Sequence, residues 1–143
     1  KIKTMTIKKN KANQWFVIFS CEFPDIKAIH PSKDKIGIDV GIENFATLSN
    51  GEFINNPRFL IKAEKRLKKL QRRLSRKKKG SNRKKAKFKL AKQSLKVTNQ
   101  RMDFSHKLSN KITKSYSFIA VEELNIKNMV QNHYLSKHIN DTS

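Results

Sequence analysis

The sequence is short of the residues that build disulfide-linked, zinc-binding or membrane-embedded proteins. Its one cysteine, Cys21, allows no disulfide within the chain and no Cys-rich zinc site. No apolar run approaches the roughly 18 residues that a membrane helix needs. The chain starts at Lys1 and carries no secretory signal, which predicts a cytoplasmic protein and a piece of a longer one.

Acidic residues are scarce as well, and the resulting charge is uneven. With 11 Asp and Glu against 33 Lys and Arg, the net charge is +22 over 143 residues. Such a charge predicts a polyanionic partner, with nucleic acid as the first candidate. From Arg58 to Lys92 there are 18 Lys and Arg and a single acid, Glu64. Since 36% of residues are hydrophobic, one modest core is expected, but not two independent domains.

The first 23 residues have the pattern of a β-hairpin around a polar turn at 10–13. Large apolar residues recur at every second position from Trp15 to Phe23, which places them on one face of a strand. Phe16 and Ile18 lie on the other face. We therefore expect a strand covered on both sides, with core aromatics rather than a platform for stacking bases.

A second β unit is predicted between residues 35 and 54. The apolar runs Ile36–Gly41 and Phe45–Leu48 precede Asn50-Gly51, a pair that favours a type I′ turn because both central positions need positive φ. Three consecutive antiparallel strands follow from this pattern. The run Ser117–Val121 predicts one further, buried strand.

Between these β units, residues 57–115 predict two amphipathic helices. Asn56 can cap the first, and Pro57 suits its first position. Gly80-Ser81-Asn82 separates it from the second, which continues to about Lys114, and the pair is expected to form an antiparallel hairpin. The apolar seam of the first helix consists of Leu60, Ala63, Leu67, Leu70 and Leu74. The apolar stripe of the second consists of Phe88, Leu90, Leu95, Val97, Met102, Phe104, Leu108 and Ile112.

Cations cover the faces of the helical pair that the apolar seam leaves free. They are Lys65, Arg66, Lys68, Lys69, Arg72, Arg73, Arg76, Lys77, Lys78, Lys79, Arg83 and Lys84. Such a surface contacts phosphates without reading sequence, and its binding should weaken steeply with salt. A merely solvated helix usually carries mixed-sign pairs, and from Arg58 to Lys92 only Glu64 with Lys68 provides one at i,i+4.

Two carboxylates occupy unusual positions. Asp39 lies inside an apolar run between Gly37 and Gly41, and Glu122 directly follows another apolar run. A carboxylate within a strand core is costly unless something such as a metal ion compensates it, and glycines would let a ligand approach closely. Two carboxylates on neighbouring strands would suit Mg²⁺ or Mn²⁺. Alternatively, Asp39 begins a turn and Glu122 is a surface residue at a strand exit.

Several segments, in this order, resemble a known family. They are GIDVG at 37–41, the hairpin and basic helical pair, RMDFSHKLS at 101–109 and VEELNIK at 121–127. Together they resemble TnpB, the OrfB-type protein of bacterial insertion sequences, related to type V CRISPR effector nucleases. The resemblance covers nearly the whole chain.

The resemblance implies an α/β fold with an RNase H-like (RuvC) half-domain. Residues 1–34 would be the last strands of an OB-like wedge domain. Residues 35–125 would be the first part of the nuclease domain, with the helical hairpin inserted at 57–115. Residues 126–143 would be a polar tail that starts the C-terminal part.

The resemblance also implies RNA-guided cleavage of DNA in the bacterial cytoplasm, at the nucleoid, with guide RNA and target DNA as partners and Mg²⁺ or Mn²⁺ as cofactor. Asp39 and Glu122 match the carboxylates of the first and second catalytic motifs, whereas Glu123 suits a ligand role less well. Arg101, His106 and Lys107 would be nucleic-acid or interdomain contacts, although packing of the helix explains them equally.

The chain departs from the family in lacking its zinc ribbon and its third motif, with the last catalytic Asp. Zinc is thus expected only in that missing part. Asp141 has no motif around it, and His133 and His138 are expected to be ordinary surface histidines. Because a two-metal site needs several carboxylates, we expect little or no nuclease activity from these 143 residues alone. A non-catalytic nucleic-acid-binding module of the same family is the competing interpretation, and an unrelated basic RNA-binding protein of ribosomal type is the third.

Overall fold

A computed structural model of the chain describes residues 1–24, 32–132 and 134–142. In these ranges the protein is mixed α/β, with two sheets. The strands are β1 (Ile2–Lys9), β2 (Trp15–Cys21), β3 (Lys35–Val40), β4 (Asn44–Leu48), β5 (Phe53–Asn55) and β6 (Phe118–Val121). The helices are α1 (Phe59–Ser75), α2 (Ser81–Ser115), α3 (Ile126–Met129) and α4 (Ser136–Thr142). The chain divides into two compact units, Lys1–Ile29 with Ala63–Asn99 and His30–Lys62 with Gln100–Ser143. No helix in the described ranges has the length and hydropathy of a membrane span.

The first unit contains the predicted β1–β2 hairpin, an antiparallel pair that runs from Lys9 opposite Trp15 to Ile2 opposite Cys21. The prediction that its aromatic residues are buried is wrong. Every residue of both strands is exposed, and Trp15 keeps 65% of its surface accessible. The reason is that alternation identifies residues sharing a face of a strand, whereas burial needs a second layer against that face.

The helices of this unit agree with the predicted pair. Gly80, with φ of 137°, lies in the turn between α1 and α2. The Arg83 guanidinium donates hydrogen bonds to the backbone oxygens of Leu74 (3.0 Å) and Lys77 (2.7 Å), so it satisfies carbonyl groups at the C-terminal end of α1. The α1 seam is half-buried, and on α2 Ala86 and Val97 are buried.

The second unit is built on a four-stranded sheet in the order β5-β4-β3-β6. The three consecutive antiparallel strands are confirmed, and β6 joins them by pairing parallel to β3. Ile36 and Leu48 of the sheet and Ile112 of α2 form a buried cluster against which Leu108 also packs. The C-terminal half of α2 therefore covers one face of this sheet.

The β4–β5 hairpin is confirmed, but its turn is not type I′. Gly51 has a positive φ of 87°, whereas Asn50 does not. The N–H of Gly51 donates to the Leu48 oxygen, and the N–H of Leu48 donates to the Glu52 oxygen, both at 2.9 Å. This is a three-residue loop in which a type I turn is followed by one left-handed residue, and glycine supplies that residue.

The start of α1 also differs from the prediction. Arg58 has a positive φ of 50°, so the helix begins at Phe59 and Pro57 lies before it. Asn56 accepts a hydrogen bond from the Arg58 N–H at 3.0 Å instead of capping the helix. The N–H groups of Leu60 and Ile61, in the first turn, have no acceptor within the helix. They donate instead to the side-chain carboxylate of Asp141, which is far away in sequence.

The segment after Asn125, which shows no clear pattern in the sequence, contains two short helices. The Asn125 side chain accepts from the Asn128 N–H at 3.3 Å and so caps α3. On α4, Ile139 is buried and His138 is half-buried. The predicted surface histidine His133 lies outside the described residues.

An ion pair ties the β4–β5 hairpin to α2 and predicts a pH effect. The Glu52 carboxylate lies 2.9 Å from the Lys111 ammonium, and their hydrogen bond and charge attraction raise the pKa of Lys111 above the ordinary 10.5. The stabilisation is therefore complete below pH 10.5 and is lost as the pH rises through the raised pKa.

Glu52→Gln should lower the Lys111 pKa, measured by NMR titration, and flatten the stability profile above pH 10.5. An unchanged Lys111 pKa in this variant would contradict the assignment, and Lys114→Gln is the control.

Candidate metal centre and nucleic-acid interface

The two carboxylates singled out in the sequence are neighbours in the second unit. Ile36 of β3 pairs with Ile119 of β6, and Ile38 pairs with Val121. Since the strands are parallel, the next residues along are Asp39 and Glu122, at the same level of the sheet. Neighbouring strands lie about 4.8 Å apart, so one small cation can reach both side chains.

Asp39 and Glu122 lie on the open face of this sheet. Side chains alternate between faces along a strand, and Ile36 and Ile38 pack in the core beneath α2. The carboxylates therefore lie on the opposite face, and both are exposed. Asp39 belongs to β3 but is exposed, and Glu122 is exposed directly after the last residue of β6.

Contacts within the sheet explain the two glycines near Asp39, Gly37 and Gly41. A Cβ at Gly41 would lie 3.0 Å from the Asn44 backbone oxygen, tighter than most Cβ contacts, so this β3–β4 connection favours glycine. Gly37 donates its N–H to the Ser49 hydroxyl at 3.0 Å and accepts from the Ser49 N–H at 2.9 Å. The groups that approach Gly37 and Gly41 closely are therefore Ser49 and Asn44 of the same chain.

The donor set fits a hard divalent cation. Asp39 and Glu122 offer carboxylate oxygens, which Mg²⁺ and Mn²⁺ prefer. No group of three or more His, Cys, Asp or Glu in the described ranges is close enough to hold an ion. The described residues therefore offer two carboxylates at this place, and Mg²⁺ is a cation that usually keeps several waters beside its protein ligands.

The predicted basic surface is exposed along its whole length. All twelve cations predicted on the helical pair are exposed. Among described residues of the first unit, the helices show one ion pair, Lys68 with Glu64 at 2.7 Å, which confirms the predicted pair. An open concavity along α1, called the α1 groove below, is lined by Lys65, Lys68, Lys69, Arg72, Arg73, Arg76 and Lys77. A second cleft, near the turn, is lined by Arg73, Lys77, Asn82, Lys85, Ala86 and Lys89.

The remaining predicted contact residues have mixed surroundings. Arg83 is exposed but also braces the α1–α2 turn through its two hydrogen bonds. On α2, Arg101 is half-buried, whereas His106 and Lys107 are exposed. Lys107 forms an ion pair with Asp103 at 2.7 Å. Arg83 belongs to the first unit, whereas Arg101, His106 and Lys107 belong to the second.

Comparison with known proteins identifies the family. The family model OrfB_IS605, described as "Probable transposase", matches residues 18–133. The chain belongs to this family. A Streptomyces pristinaespiralis protein named "Putative RNA-guided DNA endonuclease" is 39% identical over 141 residues, which is 98% of this chain and 35% of that protein. The Escherichia coli (strain K12) protein "Putative RNA-guided DNA endonuclease InsQ" is 33% identical over 129 residues, 90% of this chain and 32% of its own length. This OrfB-family chain thus spans about one third of the length of the curated relatives it matches.

Proposed function

We propose that Asp39 and Glu122 hold a divalent cation, Mg²⁺ or Mn²⁺, and supply two carboxylates of a RuvC-type DNA-cleaving site. The observation that carries this proposal is the β3–β6 register, which brings together two acids that are distant in sequence. The names of the relatives, both RNA-guided DNA endonucleases, support the same activity for the whole protein. In this proposal residues 35–125 are the first part of an RNase H-like nuclease domain, residues 126–143 start its C-terminal part, and residues 1–34 belong to an OB-like wedge domain.

The proposed chemistry is phosphodiester hydrolysis. A cation bound at this edge would polarise a phosphodiester and lower the pKa of an attacking water. The chain's own contribution is to orient two oxygen donors at one level of a rigid sheet. Their exposure leaves the open face accessible to a nucleic-acid backbone.

The helical pair would bind nucleic acid through phosphates. In RNA-guided enzymes base pairing reads sequence, and the protein contacts the backbone and shape of the duplex. The exposed cations of the α1 groove have the charge and spacing for such contacts. We propose that this surface lies against guide RNA or its duplex with target DNA.

The cation site is tested by titrating Mn²⁺ into the 143-residue chain and following paramagnetic line broadening in NMR spectra. Broadening should centre on Asp39 and Glu122, and Asp39→Asn or Glu122→Gln should each weaken binding by about 10-fold or more, because a removed carboxylate takes both charge and a ligand. Glu123→Gln is the matched control, since it removes the adjacent acid. Equal losses in Glu122→Gln and Glu123→Gln would refute the assignment.

The family's non-catalytic alternative is favoured for these 143 residues by one observation, the lack of a three-ligand cluster in the described ranges. We accordingly propose that they cleave DNA poorly alone. Robust Mg²⁺-dependent cutting by the pure chain, abolished in Asp39→Ala, would contradict this.

A further inference from the structure

We propose that Asp141 is a positioning residue for the Asp39–Glu122 site, acting through α4; this inference rests on the function proposed above. Asp141 is the one buried polar or charged side chain among the described residues, with 5% of its surface exposed. Its carboxylate accepts hydrogen bonds from the N–H groups of Leu60 (2.7 Å) and Ile61 (3.3 Å). Asp141 therefore caps the N-terminus of α1, although it lies 81 residues after Leu60 in the sequence.

These bonds fasten α4 to the first turn of α1. A carboxylate at a helix N-terminus neutralises free N–H groups and interacts favourably with the helix dipole. A helix of seven residues has little stability of its own, so α4 depends on its tertiary contacts. Asp141 supplies one such contact, through its carboxylate.

The apolar contact of α4 leads to the carboxylate strands. Ile139, with 6% of its surface exposed, borders a cavity of about 80 Å³. The cavity is also lined by Val40, Gly41, Ile42, Leu124, Ile126 and Met129. The first three directly follow Asp39, and Leu124 lies two residues beyond Glu122. One side chain of α4 thus lines the same cavity as both segments that leave the carboxylate positions.

The two contacts together give α4 its role. Asp141 fixes α4 on α1, and Ile139 then keeps its place in the cavity beside the exits of β3 and β6. Metal ligands need positions accurate to about 0.5 Å, which supporting residues provide. Without the Asp141 cap, α4 would loosen and the two carboxylates would move independently.

The test compares Asp141→Asn with the unchanged chain. Asparagine keeps the shape of the side chain, but its amide group presents N–H donors where one backbone N–H needs an acceptor. Hydrogen exchange at the Leu60 and Ile61 amides should accelerate markedly, and exchange at Gly41 should also rise. Mn²⁺ binding at Asp39 and Glu122 should weaken by about 10-fold, as for other residues that support metal ligands.

A control separates positioning from general destabilisation. Val97→Ala truncates a buried residue of the first unit, so it should lower the melting temperature without changing exchange at Gly41 or Mn²⁺ affinity. Ile139→Val, a milder change on the same helix, should weaken Mn²⁺ binding in the same direction if Asp141→Asn does not fold.

The outcomes distinguish this inference from the proposed function. Faster exchange at Leu60 and Ile61 with unchanged Mn²⁺ affinity would overturn the positioning role and leave the metal site intact. Equal weakening by Val97→Ala would overturn it as well. Absence of Mn²⁺ binding in the unchanged chain would refute the proposed site, and the positioning role with it.

Discussion

Replacing four cations of the α1 groove, Lys65, Lys69, Arg72 and Arg76, by Gln should weaken binding to an RNA–DNA duplex by about two to three orders of magnitude. These residues lie at helical spacing on one side of α1, where each can meet a phosphate. Glutamine retains helix propensity and most of the side chain, so the change removes charge rather than structure. Fluorescence anisotropy at several salt concentrations measures both affinity and its salt slope.

The matched control removes the same charge elsewhere. Lys8, Lys11, Lys33 and Lys114 are exposed and lie outside the groove, so their replacement by Gln also lowers the net charge by four. We expect the plot of log K against the logarithm of the salt concentration to become less steep. The magnitude of its slope should decrease by about 3 to 4 in the groove variant and by far less in the control. Equal losses in both variants would show that net charge, rather than the α1 groove, determines binding.

Ile112→Ala should lower the free energy of unfolding by about 2–5 kcal/mol. Ile112 is 7% exposed and joins α2 to Ile36 and Leu48 of the sheet, so truncation leaves a cavity at the centre of the second unit's core. This is a large share of the roughly 5–15 kcal/mol that stabilises a typical domain. Urea denaturation followed by circular dichroism measures it.

Met102→Ala provides the comparison on the same helix. Met102 belongs to the predicted apolar stripe, but 53% of its surface is exposed. Its truncation should change the free energy of unfolding by less than about 0.5 kcal/mol. A loss as large as that of Ile112→Ala would mean that a different face of α2 covers the sheet.

Local patterns predicted the secondary structure well because they act over a few residues. Turn residues near Gly51 and Gly80 and the spacing of apolar side chains are sufficient to predict the β3–β5 sheet and the helical pair. The parallel pairing of β6 with β3 is a long-range event, and only its consequence, two acids close together, was anticipated.

The sequence could not predict the features that depend on distant contacts. Alternation predicts which residues share the strand face of Trp15, but it contains no information on whether a second layer covers that face. Nothing near Asp141 in sequence forms a motif, because its hydrogen-bond partners, the N–H groups of Leu60 and Ile61, lie on another helix. An acidic residue close to an apolar one, as Asp141 is to Ile139, is only a weak signal for such a cap. Any exposed turn of a helix can contain the same pair of residue types.

The parallel pairing of β3 with β6 also sets an order of events during synthesis. Between Val40 and Phe118 the chain must complete two strands and both long helices before the last strand can join the sheet. Contacts that close so long a loop form late in folding, because the entropy of the intervening chain is lost before they are made. A nascent chain released before Phe118 would therefore contain the basic helices with Asp39 still alone, so it could adhere to nucleic acid before its acidic pair exists.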